Sequence, residues 1–152
     1  MTKSNLLTTL PTLPREWMVE FLFKLTNYDH PDWTSIFRMT IGGNHENLGD
    51  RNPAVFFHPS WGLQITSSLN NDKDQADILL PAPTVDRWTA IRMSQERENG
   101  NTKLKFFINN KEIFSAVNYK PVSFENVKVY ASDPWDPAQP GSIKNLSIKI
   151  KR

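Results

Sequence analysis

From Glu16 to Asn27 apolar and polar side chains take turns: Trp17, Val19, Phe21, Phe23 and Leu25 are interleaved with Met18, Glu20, Leu22 and Lys24. A period of two marks a strand with one face in a core, so the odd positions point inward. The turn Tyr28 to Asp32 leads into Trp33 to Ile41, a β-branched and aromatic run closed by Gly42-Gly43, which predicts a second strand. A polar loop from Asn44 to Pro53 precedes a hairpin made of Ala54 to Pro59 and Trp61 to Leu69. Asn70 to Gln75 has the composition of a turn, and Asp77 to Leu80 that of a short strand stopped by Pro81 and Pro83.

Arg87 to Gln95 alternates again, with Trp88, Ala90 or Ile91, and Met93 on its buried side. A hairpin turn at Glu98-Asn99-Gly100-Asn101 joins it to Thr102 to Asn109, where Leu104, Phe106 and Ile108 share a face. Asn109-Asn110-Lys111 turns the chain into Glu112 to Val117, completing a meander. Asn126 to Ser132 and Ser142 to Ile150 are the last strands, with the loop Asp133 to Gly141 between them. The expected layout is one all-β domain, a core over 16–150 preceded by an extension over 1–15. It has about ten short strands at roughly 8 to 12 residue spacing, no stretch amphipathic enough for a helix, and no internal repeat. That pattern calls for a sandwich or a barrel.

Composition strengthens this reading. Hydrophobic residues are 38% and aromatics 11% of the 152 positions, with five Trp and nine Phe, enough bulk for one packed core. Eleven Pro and six Gly without a period suit many short strands joined by turns. The net charge of +2, with both signs interspersed, is no nucleic-acid footprint, and the basic tail of Lys149, Lys151 and Arg152 reads as a solvated strand end. The absence of Cys excludes disulfides, cysteine nucleophiles and thiolate metal sites. No apolar run reaches the length of about 18 residues that a membrane span needs, and Asn5 to Leu10 is too short and polar for the apolar region of a signal peptide.

The Trp-led strand at 88–95, the hairpin, the strand ending in Asn109-Asn110-Lys111, then Val127-Lys128-Val129-Tyr130 and the closing Gly141 to Ile148 together resemble the C-terminal half of laminin G, pentraxin and related concanavalin A-like domains. The likeness covers roughly residues 85 to 150. It implies a two-sheet antiparallel β-sandwich of jelly-roll type, in which the last strand returns beside the first, setting Ser142 to Ile150 next to Trp17 to Asn27. It also favours an extracellular setting.

The chemistry points to binding. A glycosidase of this class would carry Glu, Asp and Glu alternating on one strand, and none is found. Asp29, Asp32, Glu46, Asp50, Asp72, Asp74, Asp133 and Asp136 fall in loops beside Pro, Gly or Asn, where turn formation accounts for them, and no Ser sits in a nucleophile elbow. Catalysis is therefore not expected. The richest constellation is Asn44, His45, Asn47, Asp50 and Arg51, followed by His58 and Trp61. Sugar recognition needs an aromatic plane for the apolar face of a pyranose and planar donors and acceptors for its hydroxyls, and these residues supply both. The set partly resembles the galectin site: His45 and Asn47 have the spacing of its His-x-Asn-x-Arg strand, Arg51 falls two residues late, and Gly42, Gly43 and Gly49 suggest a loop instead of a strand. The alternative is that His45 and Asn47 only solvate the loop while Trp61 is core.

Trp135, between Asp133-Pro134 and Asp136-Pro137, is a further candidate ligand residue or else a lid over one end of the sandwich. No cofactor is required, although the loop oxygens of Asn44 to Asp50, or Asp133 with Asp136, leave Ca²⁺ open as an alternative. Asn145-Leu146-Ser147 is a glycosylation sequon within a predicted strand. The leading reading is a non-catalytic, lectin-like module whose partner is a glycan or glycoprotein. The other readings are a laminin G-like adhesion domain and, at a distance, a jelly-roll glycoside hydrolase.

Overall fold

The computed structural model describes residues 1–151; Arg152, the last member of the basic tail, lies outside the described residues. Eleven strands follow one another: β1 (Leu6–Leu13), β2 (Glu16–Leu25), β3 (Thr34–Thr40), β4 (Ala54–His58), β5 (Gly62–Leu69), β6 (Asp72–Leu80), β7 (Thr89–Glu98), β8 (Asn101–Ile108), β9 (Lys111–Val117), β10 (Phe124–Tyr130) and β11 (Gly141–Lys151). They build a six-stranded sheet in the order β1-β10-β3-β4-β5-β6 and a five-stranded sheet in the order β11-β2-β7-β8-β9, and every pairing is antiparallel. This is a jelly-roll sandwich. No helix occurs among the described residues, so none is long and apolar enough to cross a membrane.

Alternation does what it should in β2, where buried and half-buried positions alternate without a break and Trp17, Val19, Phe21, Phe23 and Leu25 all enter the core. Opposite them the six-stranded sheet contributes Phe37, Met39, Val55, Phe57, Leu63 and Ile65. The ring of Phe21 lies 4.8 Å from that of Phe37, an aromatic contact joining the two layers. The last strand does return beside the first long one: β11 pairs with β2 from Gly141↔Leu25 to Lys151↔Glu16, with a bulge between Lys144 and Ser147. Asn145, the sequon residue, sits exposed in that bulge with φ of 56°.

Three expectations need correction. Residues 6–13 do not merely precede the core; they form β1, an edge strand paired with β10, and Leu13 is fully buried. They escaped notice because an edge strand with both faces mostly in solvent needs no apolar alternation, and Leu6 and Leu7 are exposed. The segment 70–75 is not all turn: Asn70 and Asn71, both at positive φ, make a two-residue hairpin turn, so β6 starts at Asp72, and Asp74, with φ of 56°, lies at an irregularity within that strand. Trp88 does not mark the buried side of its strand. Thr89, Ile91 and Met93 point inward, and Trp88 lies outside with Lys144 Nζ 4.0 Å and Lys24 Nζ 5.0 Å from its ring centre.

Candidate functional site

The face of the six-stranded sheet turned away from the core is the place where sequence-predicted site residues gather. Along β4, Val55 and Phe57 enter the core, so Ala54, Phe56 and His58 face outward. Register continues these positions into the neighbours: Arg38↔Ala54↔Thr66↔Asp77 form one row and Ser35↔Phe56↔Gln64↔Leu79 the next.

One end of this face holds an aromatic cluster. His58-Pro59-Ser60-Trp61 is a tight turn in which the Trp61 N–H donates to the His58 carbonyl at 3.2 Å, with Pro at the position where its fixed φ fits. The Ser60 N–H donates to His58 Nδ1 at 3.0 Å, so this nitrogen is the acceptor and the proton sits on Nε2. The imidazole is thereby fixed, and Trp61 stacks on it with ring centres 4.7 Å apart at an interplanar angle of 19°. Trp33 abuts both rings edge-on, at 5.1 Å from His58 and 5.7 Å from Trp61. Trp61 remains 60% exposed, so the alternative that it is core does not hold. Beside it, Asp32 Oδ1 accepts from the Trp33 N–H at 2.7 Å and lies 3.9 Å from His58 Nε2, on a side chain 76% exposed.

The opposite end is polar and charged. Arg38 has no exposed side-chain surface, yet it faces away from the core. Its Nη2 is 2.9 Å from Asp133 Oδ2 and 3.7 Å from Asp136 Oδ2, and its Nη1 donates to the carbonyl of Asn44 at 2.5 Å and to Asn44 Oδ1 at 3.2 Å. Phe56 lies under the guanidinium at 5.1 Å and Trp135 over it at 4.8 Å. Arg51 stands on the same Phe56 ring at 5.0 Å and reaches Asp74 Oδ2 at 3.9 Å. Nε of each arginine is buried without a hydrogen-bond partner among the described residues.

Burial pushes the Arg38 guanidinium below its usual value while Asp133 opposes the shift, and a guanidinium in this company stays charged. The Asp136 carboxyl is raised, first by burial and then by the neighbouring Asp133 charge, with Arg38 pulling the other way.

Each loop owes its shape to one aspartate. Asp50, fully buried, accepts from the N–H groups of Gly43, Glu46 and Asn47 at 3.2, 3.0 and 2.8 Å. Gly43 leaves room for this, since a Cβ there would lie 2.5 Å from the carboxylate. Asp133 likewise accepts from Trp135 and Asp136 N–H at 3.0 and 2.8 Å, which closes a turn that lays the indole on Arg38. Asp50 is therefore a loop organiser. His45 and Asn47 stand exposed on a loop, not on a strand as in the galectin pattern, and Lys73 Nζ clamps that loop by donating to the carbonyls of His45 and Glu46.

The predicted residues thus split into two groups on one face. His58 and Trp61 touch each other, while Asn44, Asp50, Arg51 and Trp135 surround Arg38 at the far end of β4, four residues or ~14 Å away by strand rise. Sequence reading missed Trp33, Asp32 and Arg38, and named Asp133 only as a possible calcium ligand. The visible signal was Arg38 itself, a charge in the middle of an otherwise uncharged strand.

Fold and face together define a concanavalin A-like jelly roll with an aromatic-and-arginine surface on its six-stranded sheet. No protein-family model and no curated protein matches the sequence. Among solved structures, a heptameric serum amyloid P-like pentraxin from Limulus polyphemus superposes with a TM-score of 0.62 at 15% identity, covering 94% of this chain and 67% of that one. A variant of human galectin-16 superposes with a TM-score of 0.56 at 12% identity over 99% of this chain and 100% of the other. The CBM40 module of a Ruminococcus gnavus sialidase, bound to α2,3-sialyllactose, matches with a TM-score of 0.55 at 11% identity over 88% and 74%. A segment of a sialidase, 14% of that chain, and 62% of an alginate lyase share the fold as well.

Proposed function

We propose that this chain is a non-catalytic, lectin-like module that binds a glycan along the outer face of the six-stranded sheet, with Trp61 as the shelf for a pyranose ring. The observation that carries the reading is the aromatic cluster. A tryptophan 60% exposed costs free energy in water unless something covers it, and this one is held rigid from below by His58 and from the side by Trp33. A stacking plane fixed in advance loses little entropy on binding. The His58 Nε2–H and the exposed Asp32 carboxylate stand at its edge as a donor and an acceptor for hydroxyls.

From there the glycan runs past Gln64 toward Arg51, whose partly exposed side chain supplies planar donors. Trp135 closes the far end, its ring committed to Arg38. The galectin and carbohydrate-binding-module likenesses support a glycan partner at the level of fold.

The proposal that the module is not an enzyme rests on its side chains, because lyase and sialidase neighbours use the same sandwich. The closest carboxylate pair on this face, Asp133 and Asp136, is engaged with Arg38 and with the backbone of the Trp135 turn, and Asp133 is fully buried. Asp133 is therefore not free to attack or protonate a glycosidic bond, which leaves Asp136 without a partner carboxylate for a two-carboxylate mechanism.

A glycan array tests the function, and Trp61→Ala tests the site. Binding should fall at least about tenfold. The melting temperature should move by no more than about 2 °C, as for a surface truncation. Retained affinity in Trp61→Ala, or no bound glycan at high protein concentration, overturns the proposal.

A further inference from the structure

At the end of the sandwich where β6 crosses over to β7, the two sheets do not close on each other. They leave a cavity of about 830 Å³, within the range of small-molecule sites. Its inner wall is the unfilled edge of the core, Leu63 and Leu80 from the six-stranded sheet and Ile108 and Ile113 from the five-stranded one. Its outer wall is the crossover 81–88, stiffened by Pro81 and Pro83.

The crossover is pinned at both ends. The Tyr28 hydroxyl donates to the Pro83 carbonyl, and the Asp86 N–H donates to the Leu25 carbonyl at 2.8 Å. The facing turn is held by two hydrogen bonds between Ala90 and Asn109. The cavity is thus framed by fixed elements.

Its charge is one-sided. Arg87 and Lys111 line it, no Asp or Glu does, and neither cation forms an ion pair with another described residue. Lys24 and Lys144 sit over Trp88, which also contributes to the wall. The nearest acids in sequence are Asp86 and Glu112, and neither is in the lining.

We propose that this cavity is a second binding site, separate from the glycan face, for a free amphiphile with a single acyl chain and an anionic head. The chain lies between the sheets against Leu63, Leu80, Ile108 and Ile113, where it replaces water on apolar surface. The head stays at the mouth with Arg87 and Lys111. An uncharged or cationic head gains nothing from that rim, and a short acid has no tail to bury.

Titration calorimetry with dodecanoate, dodecyltrimethylammonium and butanoate tests this on the full chain. Saturable binding of dodecanoate at one site is expected, with the cationic amphiphile and the short acid each at least about tenfold weaker. Lys111→Glu with Arg87→Glu, both at the rim, should weaken dodecanoate by about tenfold or more without altering the near-ultraviolet circular dichroism, and Trp61→Ala should leave its binding unchanged. Ile113→Trp should fill the cavity and abolish binding. Should that variant unfold, the charge reversal alone decides. No saturation below about 1 mM, equal binding of the cationic amphiphile, or indifference to the charge reversal overturns the proposal. Capture only by vesicles carrying the same acid, and not by monomeric dodecanoate, also overturns it, since the site would then read a surface and not a free molecule.

Discussion

At the scale of single residues, the alternation that identified the core said nothing about what the other face would do. Trp17 to Leu25 could be placed from sequence because burial on one side of a strand follows from a period of two. The role of Arg38 could not be read, because its counter-charges Asp133 and Asp136 arrive from a loop far along the chain and meet it only in the fold, while Asn44 comes from the loop that follows β3. Trp61 was legible as a candidate and equally as core, whereas Trp33, which braces it, reads in one dimension as an ordinary strand residue. The charge cluster has a pH consequence. The Asp136 carboxyl is raised in the folded state by burial and by Asp133, so the native protein holds that proton to higher pH than the unfolded chain does. Stability from this group is therefore greatest in acid and falls as pH climbs from the ordinary carboxylate value through the raised one, levelling off above it. Urea unfolding across that window should show the slope in the wild type and lose it in Asp136→Asn. A slope identical in both proteins would mean that Asp136 titrates as it does in the unfolded chain.

At the scale of elements, most strands were legible with their boundaries close to those observed, apart from β1, the start of β6 and the end of β7. β7 and β8 are joined at Asn99-Gly100, a turn that sequence marks plainly, and β11 lies beside β2 as the family resemblance implies. The start of β6 was lost because Asp72, Lys73 and Asp74 look like loop residues, although Asp72 pairs with Leu69 of β5 and the register is irregular between there and Ala76. β1 was lost because it is an edge. The element on which the proposed site depends most is the β4–β5 turn, and it hinges on Gly62. This residue has φ of 95°, and a Cβ on it would lie 2.0 Å from the Leu80 carbonyl oxygen, a backbone atom of the paired strand β6. The contact cannot be relieved by rotating a side chain. Gly62→Ala should therefore cost about 2 kcal/mol or more and depress the melting temperature by at least about 4 °C. Because Trp61 immediately precedes it, glycan binding should weaken as well. A variant that melts like the wild type would show that β6 yields easily at Leu80.

At the scale of the whole molecule, fold alone leaves open whether the face works with a metal, since what decides it is where the oxygen donors point. Calcium takes six to eight oxygens, and the loop Asn44 to Asp50 has enough of them by composition. In the folded chain several of them are already in use. The Asp50 carboxylate accepts three backbone N–H groups, the Asn44 carbonyl and Oδ1 accept from Arg38, and the carbonyls of His45 and Glu46 accept from Lys73. The second candidate, Asp133 with Asp136, faces the Arg38 guanidinium, whose positive charge occupies the place a cation would take. Among the described residues no group of three His, Asp or Glu side chains converges on a metal-sized site. Binding a calcium ion through those oxygens of the first loop would require it to release Lys73 and its hydrogen bonds to Arg38, and binding one at Asp133 and Asp136 would leave the buried Arg38 without its counter-charges at a cost of several kcal/mol. Glycan binding should accordingly be the same in excess EDTA as in millimolar Ca²⁺, and added Ca²⁺ should not raise the melting temperature. A calcium-dependent affinity, or thermal stabilisation that saturates with the ion, would show that the loops rearrange around a metal, and the arginine-anchored face described above would then be only one of two states of the site.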